Sequence, residues 1–118
     1  MVAQFANAIE DGDVDTVVAL LTDDAWLTMP PEPYEYQGAA TIGAFLRDRT
    51  ITRGSPLLVP TRANTQPAFG AYFPAPQTEI ARLYGILVLT LEGRQISAIT
   101  WFGGNNGSSR FGLPRILR

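Results

Sequence analysis

A chain of 118 residues, 46% hydrophobic and with a formal net charge of −2, has room for one folded core and no basic surplus with which to grip nucleic acid directly. It contains no cysteine and no histidine, which removes disulfides, thiolate chemistry, the commonest general base and the commonest metal ligand, so no metal and no cofactor are expected. No run approaches the ~18 consecutive apolar residues of a membrane span, and Glu10 and Asp11 stand where a signal peptide would be apolar, so a single cytoplasmic domain over residues 1–118 is expected.

Residues 2–11 carry Val2, Phe5, Ala6 and Ile9 at helical spacing, which predicts a helix with one apolar face. Gly12 interrupts it, and Asp13 is placed to cap a second helix that buries Val14, Val17 and Val18 and ends near Leu21. The acids Glu10, Asp11, Asp13 and Asp15 cluster at this break, but they lack the glycine-centred order and distal glutamate of a calcium loop and read as capping. Thr22-Asp23-Asp24 reads as a turn. Ala25–Met29 then reads as a strand, stopped by Pro30, Pro31 and Pro33 because proline cannot donate to a ladder. After Gly38, Ile42, Phe45 and Leu46 predict a third helix to about Arg49, followed by a loop over 52–56.

The rest reads as a meander: strands over 57–64, 67–73, 79–91 and 95–102, with turns at Thr65-Gln66, Pro74–Gln77 and Glu92-Gly93. Gly103–Ser109 is a flexible connector by composition, and Phe111-Gly112-Leu113-Pro114 closes the chain as a short apolar tail. Helices first and antiparallel strands later imply an α+β fold. A curved sheet wrapped around a few helices would enclose a conical cavity of the kind that holds small ligands.

Trp26, Met29, Tyr34, Tyr84 and Trp101 are the aromatic and soft apolar residues expected at that cavity, with Phe69 in the core. Arg62 and Asn64 share a strand parity. If that face lines the cavity they would bind a carboxylate or carbonyl, the arginine in bidentate fashion. If it faces out, Arg62 would pair with Glu79 or Asp24. An isomerase or cyclase in such a cavity needs a carboxylate base beside a carbonyl and a donor to hold the enolate. Asp24 and Glu35 are the only candidates near the pocket. Asp24 precedes its strand, and Glu35 sits between two tyrosines, pointing out if they point in; no catalytic residue is assigned.

Three segments carry a family resemblance. They are Asp24–Pro31 with Tyr36–Gly38, Val59–Asn64 with Gln66–Gly70, and the ending Arg110-Phe111-Gly112-Leu113-Pro114. Together they resemble the C-terminal SnoaL-like domain appended to a group of actinobacterial extracytoplasmic-function RNA polymerase sigma factors. The resemblance implies the cone-shaped nuclear transport factor 2-like (cystatin-like) fold and a domain cut from, or C-terminal to, a longer sigma factor. It also implies contact with the sigma core and RNA polymerase and regulation of transcription in response to a small ligand, expected here to be apolar. Promoter DNA would be engaged by preceding regions and not by this domain. The same fold hosts isomerases and polyketide cyclases, which is the alternative function, and it commonly dimerises through its open sheet face.

Overall fold

The computed structural model describes residues 1–104 and 111–117; most of the expected connector, residues 105–110, lies outside the described residues. Helix α1 (Val2–Asp11) buries Phe5 and Ala8 and ends at Gly12, which takes the left-handed conformation and returns its N–H to the carbonyls of Ala8 and Ile9. The Asp13 carboxylate then accepts from the Thr16 N–H and hydroxyl, at 3.2 and 2.6 Å, and starts helix α2 (Val14–Leu20). Those two bonds, the hydroxyl first, hold the Asp13 carboxyl below its ordinary range by favouring the charged form. Helix α3 (Ala39–Arg53) lies across α2 and buries Ile42.

The strands are β1 (Leu21–Thr28), β2 (Glu35–Gln37), β3 (Leu57–Ala63), β4 (Gln66–Pro74), β5 (Ala81–Glu92), β6 (Gln95–Gly103) and β7 (Ile116–Leu117). They form one sheet in the order β2-β1-β6-β5-β4-β3, with only the β1–β6 pair parallel. Strand β5 is the longest. It pairs with β6 from Gly85 onward, and β7 pairs with its first two residues. The helices pack on the concave face, so the fold is α+β, three helices on a curved and mainly antiparallel sheet.

Strand parity divides the apolar residues into two sets. The concave set, with Leu27, Leu58, Phe69, Ala71, Leu89, Ile96 and Ile99, joins Phe5, Val17 and Ile42 in the main core. Phe5 meets Phe69 there with ring centroids 6.2 Å apart. The convex set, with Ala68, Tyr72, Leu83, Ile86 and Val88, forms a second cluster that Leu113 covers. The C-terminal segment is tied down over it. The Tyr72 hydroxyl donates to the Pro114 carbonyl at 2.6 Å, the Thr61 hydroxyl to the Phe111 carbonyl at 3.0 Å, and the Leu83 N–H to the Arg115 carbonyl at 2.9 Å. Burial pushes the Tyr72 phenol above its ordinary value, because the phenolate would lose its water.

Four local expectations change. Residues 22–24 belong to β1, with a register shift between Leu21 and Trp26 taking the place of a turn. The β3–β4 hairpin turns at Asn64-Thr65, one residue earlier than read, with Asn64 at φ 59°; asparagine tolerates that region better than most residues. Helix α3 runs one turn further, through Thr50, Ile51 and Thr52. Finally, two short strands appear where none was expected, β2 over Glu35–Gln37 and β7 over Ile116–Leu117, the latter just past the apolar tail.

Candidate functional site

A cavity of about 270 Å³ opens between the helices and the concave face. Its walls come from four sources. Phe5, Ala8 and Ile9 of α1 form one side, and Val14 and Val17 of α2 the next; Phe45 and Leu46 of α3 form a third. The sheet contributes Leu27, Ala71, Phe73, Leu87, Ile99 and Trp101, with Met29 just past β1. These positions follow from the two periodicities: every lining residue of β4, β5 and β6 lies on the concave parity, and α1 turns its Phe5-Ile9 stripe inward.

The polar lining groups lie together. Arg49, Thr50, Arg53 and Gly54, at the end of α3, and Pro56 meet Gly12 at the α1–α2 turn. A Cβ built on Gly12 would lie 3.0 Å from the Ser55 hydroxyl and 3.3 Å from the Thr50 methyl, so the α1–α2 turn and the end of α3 close together at this rim. Arg49 and Arg53 are four residues apart and so share a helix face. The Arg49 guanidinium sits 4.9 Å from the centroid of Phe45. Arg47 points elsewhere and pairs with Asp15 of α2. None of the lining residues is an aspartate, glutamate or tyrosine.

Of the residues expected at the cavity, Met29 and Trp101 line it, and five do not. Trp26 alternates with the buried Ala25 and Leu27, which puts its half-exposed indole on the convex face. Tyr34 is exposed in the proline-rich link before β2. Arg62 has the concave parity, opposite Pro67, but lies at the far end of β3 and is exposed. Asn64 is a turn residue. Tyr84 is the extra residue where the β4–β5 register shifts, and it meets Phe73 edge-on at 5.1 Å from outside the lining set. Tyr36 packs inward on Phe45 at 4.6 Å, which turns Glu35 outward; Glu35 and Asp24 are both exposed.

The lining residues that sequence reading left out include the α1 stripe, Val14 and Val17 of α2, Phe45, Phe73, Leu87, Ile99 and the two arginines. The stripe was visible at its period, but period alone does not say which core residues border a void. Arg53 was hidden by the error at the end of α3: Thr50-Ile51-Thr52 is a β-branched run that reads as a helix end.

The arrangement defines the class of fold. It is the nuclear transport factor 2-like, or cystatin-like, fold. An uncharacterised cystatin-like protein from Silicibacter pomeroyi superposes with a TM-score of 0.70 at 17% identity, over 89% of this chain and 74% of that one. An NTF2-like protein of unknown function from Burkholderia xenovorans gives 0.67 at 13% identity, over 92% and 88%. An LEH-like epoxide hydrolase from Mycobacterium tuberculosis gives 0.60 at 16% identity, over 87% and 79%. No family model matches the chain. In sequence, the chain is similar to the ECF RNA polymerase sigma factor SigG of M. tuberculosis, 29% identical over 119 aligned residues. The match takes in 99% of this chain and 32% of SigG, so the chain spans about a third of the length of the curated relatives it matches. The resemblance to a sigma-factor domain read from the three segments thus extends over nearly the whole chain.

Proposed function

We propose that this domain is a non-catalytic regulatory module of an RNA polymerase sigma factor, working in the cytoplasm, that holds a small apolar ligand in its cone and modulates transcription initiation by contacting the sigma core. The observation that carries the reading is the match of nearly the whole chain to a third of a sigma factor. The walls of the cavity support the ligand half, since they are almost wholly apolar. The convex face supports the contact half. Its β3–β5 side is covered by the C-terminal segment, while its β1–β6 side leaves Trp26 41% and Phe102 44% exposed. An aromatic surface of this kind suits a protein partner.

The test is transcription from a cognate promoter by core polymerase with the full-length gene product, intact and with this segment deleted. A changed initiation rate supports the reading. A full-length gene that encodes no sigma regions overturns it. A second copy of this chain is the competing occupant of the Trp26–Phe102 surface; analytical ultracentrifugation of the Trp26→Ala variant separates the two, because a homodimer would dissociate.

The fold itself favours a second reading, an isomerase or cyclase acting on an apolar carbonyl compound, since an epoxide hydrolase shares it. That chemistry requires a base in the cavity. Asp24 and Glu35 are exposed and outside the lining set, so this reading needs proton transfer without either of them.

A further inference from the structure

We infer that the cavity is built for an amphipathic anion: a monocarboxylate whose tail fills the apolar cone and whose acid group rests on Arg49 and Arg53. The inference rests on the ligand-holding half of the reading above and is independent of the sigma-core contact.

Size comes first. A volume of about 270 Å³ falls at the low end of small-molecule pockets, which run roughly 300–1,000 Å³. That suits a short-chain or medium-chain acid and is small for a polycyclic ligand. Polarity comes next. Among the described residues the inner walls offer one hydrogen-bonding side chain, the indole N–H of Trp101, and no charged one, so an ionised group belongs at the rim. The rim holds two guanidinium groups, one turn apart, and no lining carboxylate faces them.

The charge at that rim is uncommitted. Among the described residues the one ion pair is Arg47–Asp15; of the three acids around Gly12, Asp11 is exposed and the other two have roles of their own. Asp13 caps α2, and the Glu10 carboxylate accepts from the Leu58 N–H at 2.9 Å. Arg53, in the last turn of α3, also complements the helix dipole, and that alone would account for its place, but Arg49 stands a turn earlier. The dipole would not require either to line the cavity, and both do. Arg47, on the same helix, does not. Guanidinium groups bind carboxylates in planar, paired geometry, and stacking on Phe45 holds the Arg49 plane at the mouth. A cationic ligand would meet repulsion there, and a neutral one would leave both arginines to water.

The experiment uses the full 118-residue chain carrying Trp26→Phe, so that emission reports only Trp101 in the cavity wall. Octanoate, 1-octanol and octylammonium are titrated at neutral pH, with calorimetry in parallel. Octanoate is expected to bind about tenfold or more tighter than octanol, the scale of a charge-assisted hydrogen bond, with octylammonium weakest. In the Arg49→Gln/Arg53→Gln variant, octanoate should fall to the octanol level while octanol is unchanged. Both arginines are exposed, and circular dichroism and thermal melting confirm that the variant folds. Equal affinities for the three probes overturn the inference. So does a carboxylate preference that survives the double substitution, or no binding of any probe at millimolar concentration. Failure here leaves the transcription result untouched, and a deletion without effect on transcription leaves this result untouched.

Discussion

The indole of Trp101 lies against the backbone of Gly85. A Cβ built at position 85 would be 2.5 Å from Cζ2 of Trp101, and 2.6 Å from the Phe102 carbonyl oxygen. Gly85 stands opposite Gly103 across β5–β6, beside the register shift that displaces Tyr84. The absent side chain makes the space that the indole fills, and the indole in turn closes one wall of the cavity.

Gly85→Ala is therefore expected to destabilise the protein by about 1–3 kcal/mol, as overpacking does in a closed core. Replacing a strand glycine by alanine ordinarily stabilises, so the sign itself is diagnostic. Urea unfolding followed by far-ultraviolet circular dichroism measures it. Adding Trp101→Leu should recover only part of the loss, because the Phe102 carbonyl still crowds the new methyl. Full recovery, or no loss in the first place, refutes the account.

Tyr72 is one of three residues whose hydrogen bonds hold the C-terminal segment. Tyr72→Phe removes the 2.6 Å bond to the Pro114 carbonyl and should cost about 0.5–1.5 kcal/mol at neutral pH. Its dependence on alkali has a definite sign. Burial raises the phenol above its ordinary value of 10.0, so its contribution is complete below that value and is lost as pH rises through the folded pKa. The stability gap between wild type and Tyr72→Phe should stay constant at neutral pH and shrink above pH 10. Denaturant titrations at successive pH values check this; a gap that stays level through alkali would contradict it.

The fold was legible where one period dominates. The α1 stripe, the Asp13 cap, the prolines that end β1 and the alternating leucines of β5 each specify an element without tertiary help. The candidate site was only partly legible, for a physical reason. Alternation assigns residues to two faces but does not say which face the helices cover; Met29 and Trp101 lie along the cavity, and Trp26 lies on the opposite face. Tyr84 shows a second limit. A single extra residue in β5 displaces it from the lining set, and nothing in Leu83-Tyr84-Gly85 signals that displacement except the glycine. Arg62 shows a third: it has the concave parity, but the helices do not extend over that end of β3.

Leu113 is the plug of the second cluster, 7% exposed. It sits where position 70 lacks a side chain, with Cδ1 2.8 Å from the point a Cβ would occupy. Leu113→Ala should cost about 2–5 kcal/mol, the range for a buried leucine that leaves a cavity. The loss should be local at first. Hydrogen exchange should quicken at the Leu83 amide, which donates to the Arg115 carbonyl, before it quickens in α1 or β6. Equal protection loss across the whole chain would mean that the segment is not a separable cover.

Asp13 gives the complementary prediction on the acid side. Its carboxyl is held below the ordinary value of 3.8 by the Thr16 hydroxyl first and the Thr16 amide second. A depressed folded pKa means that the contribution is present above the unfolded value and is lost as pH falls through the folded one. Asp13→Asn keeps an oxygen that can cap α2 but cannot titrate. It should therefore be less stable than wild type at neutral pH, with the difference fading only below about pH 4. Thr16→Val tests the ordering of causes, because it removes the hydroxyl and leaves the amide. If the hydroxyl dominates, Thr16→Val should remove most of the acid dependence that Asp13→Asn removes. If the acid limb of Thr16→Val matches wild type instead, the amide carries the effect and the helix cap, not the side-chain pair, sets the pH response of this corner.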